Sequence, residues 1–102
     1  MPTFVMLTRI SSDAAPSPQS LENLEQEVAG QIRSQCPDVE WVHNYALLGG
    51  YDYLDIFNAP DLDTALRVST IVRTYGSSST EVWAATEWAK FKDLIQNMPH
   101  AA

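Results

Sequence analysis

Gly49 and Gly50 separate two β-prone runs, Val39–Leu48 and Tyr51–Asn58. Two glycines between such runs are the material of a tight hairpin turn, where the backbone enters conformations closed to other residues. A two-residue turn sets Leu48 opposite Tyr51, His43 opposite Ile56 and Asn44 opposite Asp55. That register decides which side chains share a face, because a slip of one residue would invert them all. The exit Ala59-Pro60-Asp61 ends the second run and offers Asp61 as a helix cap.

The rest of the chain supplies elements on either side of this hairpin. Thr3–Ile10 is apolar and β-prone and reads as a first strand. Ser17-Pro18 is a serine cap followed by proline at the first helical position. Leu21, Leu24, Val28 and Ile32 then recur at helical spacing until Pro37 stops the helix. After the hairpin, a second helix is expected to carry Leu62, Ala65, Leu66, Ser69 and Val72 inward and to close at Gly76 in left-handed backbone. Thr80–Ala85 is a last strand, and Trp88, Phe91, Ile95 and Met98 form the stripe of a short terminal helix. The order βαββαβ with a central hairpin predicts a ferredoxin-like α+β fold. It has a four-stranded antiparallel sheet, two helices on one face and a short C-terminal helix.

A sheet covered on one side should alternate apolar with polar residues. Here Phe4 and Met6 alternate with Val5 and Leu7, Leu54 and Ile56 with Tyr53 and Phe57, and Val82 with Trp83. Both faces are apolar. A second copy packed sheet to sheet is therefore expected, giving a dimeric α/β barrel. The competing arrangement folds the terminal helix over the open face.

The composition narrows the partners. All 102 residues are expected to form a single domain. Thirteen acidic against six scattered basic residues, a net charge of −7, speak against nucleic acid and against an anionic membrane as partners. No apolar run approaches the roughly 20 residues that span a bilayer. The N-terminus has no signal-peptide pattern, and Cys36 is the single cysteine, which fits a reducing cytoplasm. No glycine-rich loop precedes a helix, and two histidines 57 positions apart are not spaced as metal ligands, so neither cofactor nor metal is expected.

The candidates for chemistry are few. His43, mid-strand, could act as a general base, and Asp55 in a strand interior needs a partner if buried. The expected register puts the two on opposite faces. His100, near the C-terminal end, is given no role. Arg9, Tyr45, Tyr51, Asp52 and Tyr53 are the candidate ligand contacts, and Asp52 is also placed to accept backbone N–H groups beside the turn.

Gly49-Gly50-Tyr51-Asp52, the strand that follows, Ala59-Pro60-Asp61 and the next helix resemble the GYD domain family. Gly49, Tyr51 and Asp52 stand at the family's signature positions, and the likeness covers nearly the whole chain. The serine- and proline-rich connector Ser11–Pro18 and Gly76-Ser77-Ser78-Ser79 depart from its usual pattern. The resemblance implies a ferredoxin-like dimeric α/β barrel and carries no catalytic residue. The resulting expectation is a small homodimer that binds a small apolar or aromatic ligand. A cofactor-independent oxygenase or isomerase, and a regulatory or protein-interaction module, are the alternatives.

Overall fold

A computed structural model describes residues 1–99; His100 lies outside the described residues. The elements follow in the order β1 (Thr3–Ile10), α1 (Pro18–Gln35), β2 (Glu40–Ala46), β3 (Tyr53–Asn58), α2 (Leu62–Tyr75), β4 (Ser78–Ala85) and α3 (Trp88–Gln96). The strands form one antiparallel sheet in the order β2-β3-β1-β4, which is the ferredoxin-like arrangement.

The helix starts are as the sequence requires. Ser17 Oγ accepts from the Ser20 backbone N–H, while Ser20 Oγ accepts from that of Ser17, a reciprocal box ahead of Pro18. Asp61 accepts from the Thr64 N–H at 2.8 Å and the Thr64 hydroxyl at 2.6 Å. These bonds hold its carboxyl below the usual carboxylate range.

The end of α2 differs from expectation. Gly76 has right-handed backbone, and the left-handed residue is Ser77, with φ 47°. Gly76 is needed for a different reason: it is buried, and a Cβ there would collide with the Val72 carbonyl oxygen. The inward face of α2 is also rotated from the one expected. Leu62 and Leu66 are exposed, and Ala65, Val68, Ser69, Ile71 and Val72 are buried.

The register at the hairpin holds: His43 pairs with Ile56, Asn44 with Asp55, Tyr45 with Leu54 and Ala46 with Tyr53. The Leu47 N–H donates to the Asp52 carbonyl at 2.8 Å, continuing that pairing to the turn. Only Gly49 has positive φ, at 149°; Gly50 does not, so one glycine and not both carries the backbone requirement.

A bulge between Trp41 and His43 changes the outer end of β2. Trp41 pairs with Phe57 and meets its ring at 5.5 Å, on the helix side of the sheet. His43 therefore has Tyr45 but not Trp41 as a same-face neighbour, which the alternation of an unbroken strand would not give.

The core lies between the sheet and the helices. Phe4, Met6 and Phe57 from the sheet meet Ile32 and Cys36 from α1 and Ala65, Val68, Ile71 and Val72 from α2. Phe57 is fully buried here, stacked with Phe4 at 5.7 Å, so it does not face outward as a half-exposed aromatic. Ser69 and Thr80 hydroxyls bond at 2.7 Å and tie α2 to β4. The opposite sheet face carries Val5, Leu7, Leu54, Ile56 and Trp83 and has no cover among the described residues; Trp83 is 58% exposed. α3 does not fold over it. All residues of α3 are exposed. The radius of gyration is 16.2 Å, against about 13 Å for a compact chain of this length.

Candidate functional site

The hairpin places its polar residues in two separate groups. At the turn, the Asp52 carboxylate accepts from the Ile10 N–H at 2.7 Å, while the Asp52 N–H donates to the Thr8 carbonyl at 2.8 Å. Asp52 thus fastens the base of the hairpin to the end of β1, a neighbour reached only in the folded sheet. Arg9 Nε donates to the Gly50 carbonyl at 2.6 Å, and its guanidinium lies 5.1 Å from the centre of the Tyr51 ring. The Glu81 carboxylate, an acceptor near the Tyr51 hydroxyl, raises the pKa of that phenol. Arg9, Tyr51 and Asp52 therefore bind one another's strands and the turn.

The second group faces the helices. α1 is anchored at its C-terminal end, where Ile32 and Cys36 are buried, whereas Leu21, Leu24 and Val28 are only half-buried. Beneath the helix is a cavity of about 630 Å3. Ligand pockets span roughly 300–1,000 Å3. Leu21, Leu24 and Val28 form its helix wall, Met6, Thr8 and Ile10 its β1 floor, and Trp41, Tyr53 and Asp55 its hairpin side. Asp55 Oδ1 accepts from Asn44 Nδ2 at 2.7 Å. Burial raises the Asp55 pKa, and the Asn44 bond offsets part of that rise. Tyr53 is also raised, first by burial and then by nearby carboxylates. The Thr8 hydroxyl is buried, with no hydrogen-bond partner among the described residues. Burial likewise raises the Cys36 thiol, which suits a small hydrophobe at the foot of α1.

His43 stands on the other side. Its register partner is Ile56 on the open face, and its ring stacks with Tyr45 at 5.8 Å. The two catalytic candidates are thus divided by the sheet, and Asp55 alone of them lies in the cavity. Among the described residues, no group of three or more His, Cys, Asp or Glu is placed to hold a metal ion, and no helix is long and apolar enough to cross a membrane.

Sequence reasoning missed Thr8 and Trp41 as cavity residues. Thr8 has the pattern of an ordinary strand residue, and its sealed, unpartnered hydroxyl follows from packing that the sequence does not display. Trp41 reaches the cavity through the bulge, for which the sequence offers no glycine or proline signal. Asn44 was legible, since the hairpin register sets it against Asp55.

Comparison with known proteins agrees with this architecture. The family model described as GYD domain matches residues 4–95. A Thermus thermophilus protein named glutamine synthetase and cystathionine beta-lyase binding protein is 30% identical over 102 residues, covering 96% of this chain and 99% of that protein. Among solved structures, TTHA0845 from Thermus thermophilus aligns with a TM-score of 0.55 at 22% identity, over 85% of this chain and 95% of that one. The leucine response regulatory protein LrpA of Mycobacterium tuberculosis gives 0.51 at 12% identity, over 84% of this chain and 51% of that one. At3g17210 from Arabidopsis thaliana gives 0.53 at 11% identity, over 85% and 95%. These structural likenesses concern the fold.

Proposed function

Because this chain belongs to the GYD domain family, we propose that it is a homodimeric binding protein that docks on metabolic enzymes and regulates them. The observation that carries this reading is the pair of apolar surfaces left without cover: the open sheet face around Trp83 and the stripe of Trp88, Phe91 and Ile95 on α3. Monomers seldom leave such surfaces contiguous and exposed. The sheet face is apolar on three adjacent strands, which suits a two-fold partner of the same kind. Two sheets so joined make the dimeric α/β barrel. α3 then remains to reach over the partner copy or to seat a target enzyme.

The full-length similarity to a protein named for binding glutamine synthetase and cystathionine beta-lyase supports enzymes as the targets. The single domain of residues 1–102 would act in a reducing cytoplasm, where a lone buried Cys36 stays reduced. A catalytic reading has less support, because His43 and Asp55 do not share a face.

The test mixes the purified protein with glutamine synthetase and, separately, cystathionine beta-lyase and follows sedimentation velocity. Co-sedimentation with either enzyme, lost on substituting Phe91 and Ile95 by glutamate, is the expected result. Sedimentation of every component at its own unaltered rate would overturn the enzyme-docking reading.

A further inference from the structure

We propose that the cavity between α1 and the sheet binds a small amine with an aromatic or branched aliphatic body. Two observations converge on that chemistry. The cavity, at about 630 Å3, has walls that are mostly apolar, from Leu21, Leu24 and Val28 on the helix to Met6 and Ile10 on the floor. It contains one polar group that the protein leaves incompletely used. Asp55 has one oxygen held by Asn44, and no cation pairs with it among the described residues.

Asp55 stands on the helix side of the sheet, because it pairs with the core residue Met6. A carboxylate in a desolvated site calls for a cation or a strong donor. An ammonium head supplies three donors, enough for the Asp55 oxygen that Asn44 leaves free. Trp41 adds an aromatic wall that can hold either the ligand's ring or its charge. The net charge of −7 favours a cation in the approach as well. Glu25 and Arg33 of α1 also line the cavity, and both are exposed. This site lies on the opposite side of the sheet from the open face, so it stands or falls independently of the assembly.

The experiment is calorimetric titration of the intact protein at pH 7.5 with three matched probes: 2-phenylethylamine, 2-phenylethanol and 3-phenylpropionate. The amine is expected to bind tightest and the carboxylate weakest. Asp55→Asn should weaken the amine about tenfold, a change of ~1.4 kcal/mol, while leaving the alcohol within about threefold. Leu24→Trp, which fills the cavity from a half-exposed helix position, should weaken all probes while circular dichroism shows the fold intact. Absence of binding by every probe would overturn the proposal, as would a carboxylate that binds as well as the amine. Equal affinity of the amine for the native protein and a folded Asp55→Asn variant would overturn it too.

Discussion

Asp52 shows how much one side chain can hold. Its carboxylate takes the Ile10 N–H and its backbone joins the Thr8 and Leu47 backbones, so three strands meet at one residue. Asp52→Ala removes a charge-assisted bond to a backbone donor and is expected to cost about 1.5–3 kcal/mol, read from chemical denaturation. A loss below the measurement error would mean that water replaces the carboxylate without penalty. Gly49→Val forces a β-branched side chain into backbone with φ 149° and should cost at least ~1 kcal/mol. Gly76→Ala should cost about 1–3 kcal/mol, because the added methyl meets the Val72 carbonyl and not a flexible side chain.

Asp55 makes a prediction of opposite sign. Its folded pKa lies above the unfolded value, so the folded state holds the proton more tightly than the unfolded one. Its contribution to stability is fully present below the unfolded pKa, about 3.9 for aspartate, and is lost as pH rises through the folded value. Asp55→Asn fixes an uncharged side chain at this site. The variant should therefore melt at a higher temperature than the native protein at pH 7.5, with the difference shrinking toward pH 4. Melting curves across that range check it, and a variant less stable at pH 7.5 would contradict the desolvation argument.

At the scale of elements, α1 and α3 are both amphipathic, and their fates differ. The last turns of α1 are pinned by Ile32 and Cys36, whereas its first turns stand over the cavity. α3 has a stripe of Trp88, Phe91 and Ile95, with Trp88 and Phe91 rings 5.5 Å apart, and no covering element in its own chain among the described residues; Met98, expected on the stripe, lies past the end of the helix. Replacing Phe91 and Ile95 with glutamate should leave unfolding of the isolated chain within about 0.5 kcal/mol, since surface substitutions rarely do more. It should still alter the mass or the stability of the assembly. A loss of several kcal/mol with no change in mass would place α3 against its own domain.

The whole molecule is extended in a way that one chain does not explain. Its longest dimension is 60 Å and its shortest 17 Å, the thickness of one sheet with one helical layer. A second copy on the open face would complete a two-sheet interior. Light scattering at micromolar concentration is expected to give twice the chain mass, and Trp83→Glu to give monomers or aggregates, because a charge would enter the apolar face. One chain mass for the native protein would remove the dimer.

Much of this was legible in the sequence, and the reasons are local. The glycine pair set the register of the hairpin, so the separation of His43 from Asp55 and the pairing of Asn44 with Asp55 followed from counting. Ser17-Pro18 and Asp61 marked two helix starts because capping depends on a few adjacent residues. Apolar residues on both sides of three strands announced an uncovered face. Tertiary structure decided what depends on distant neighbours. It turned Trp41 inward through a bulge and chose Val68 and Ile71 over Leu62 and Leu66 for the inner face of α2. It used Gly76 for a close approach and gave the left-handed turn to Ser77. It also held α1 off the sheet at one end, leaving the Asp55 carboxylate in a cavity. Periodicity tells which side of a helix is apolar, but the distance at which that helix comes to rest is set by the volumes of all the side chains packed beneath it.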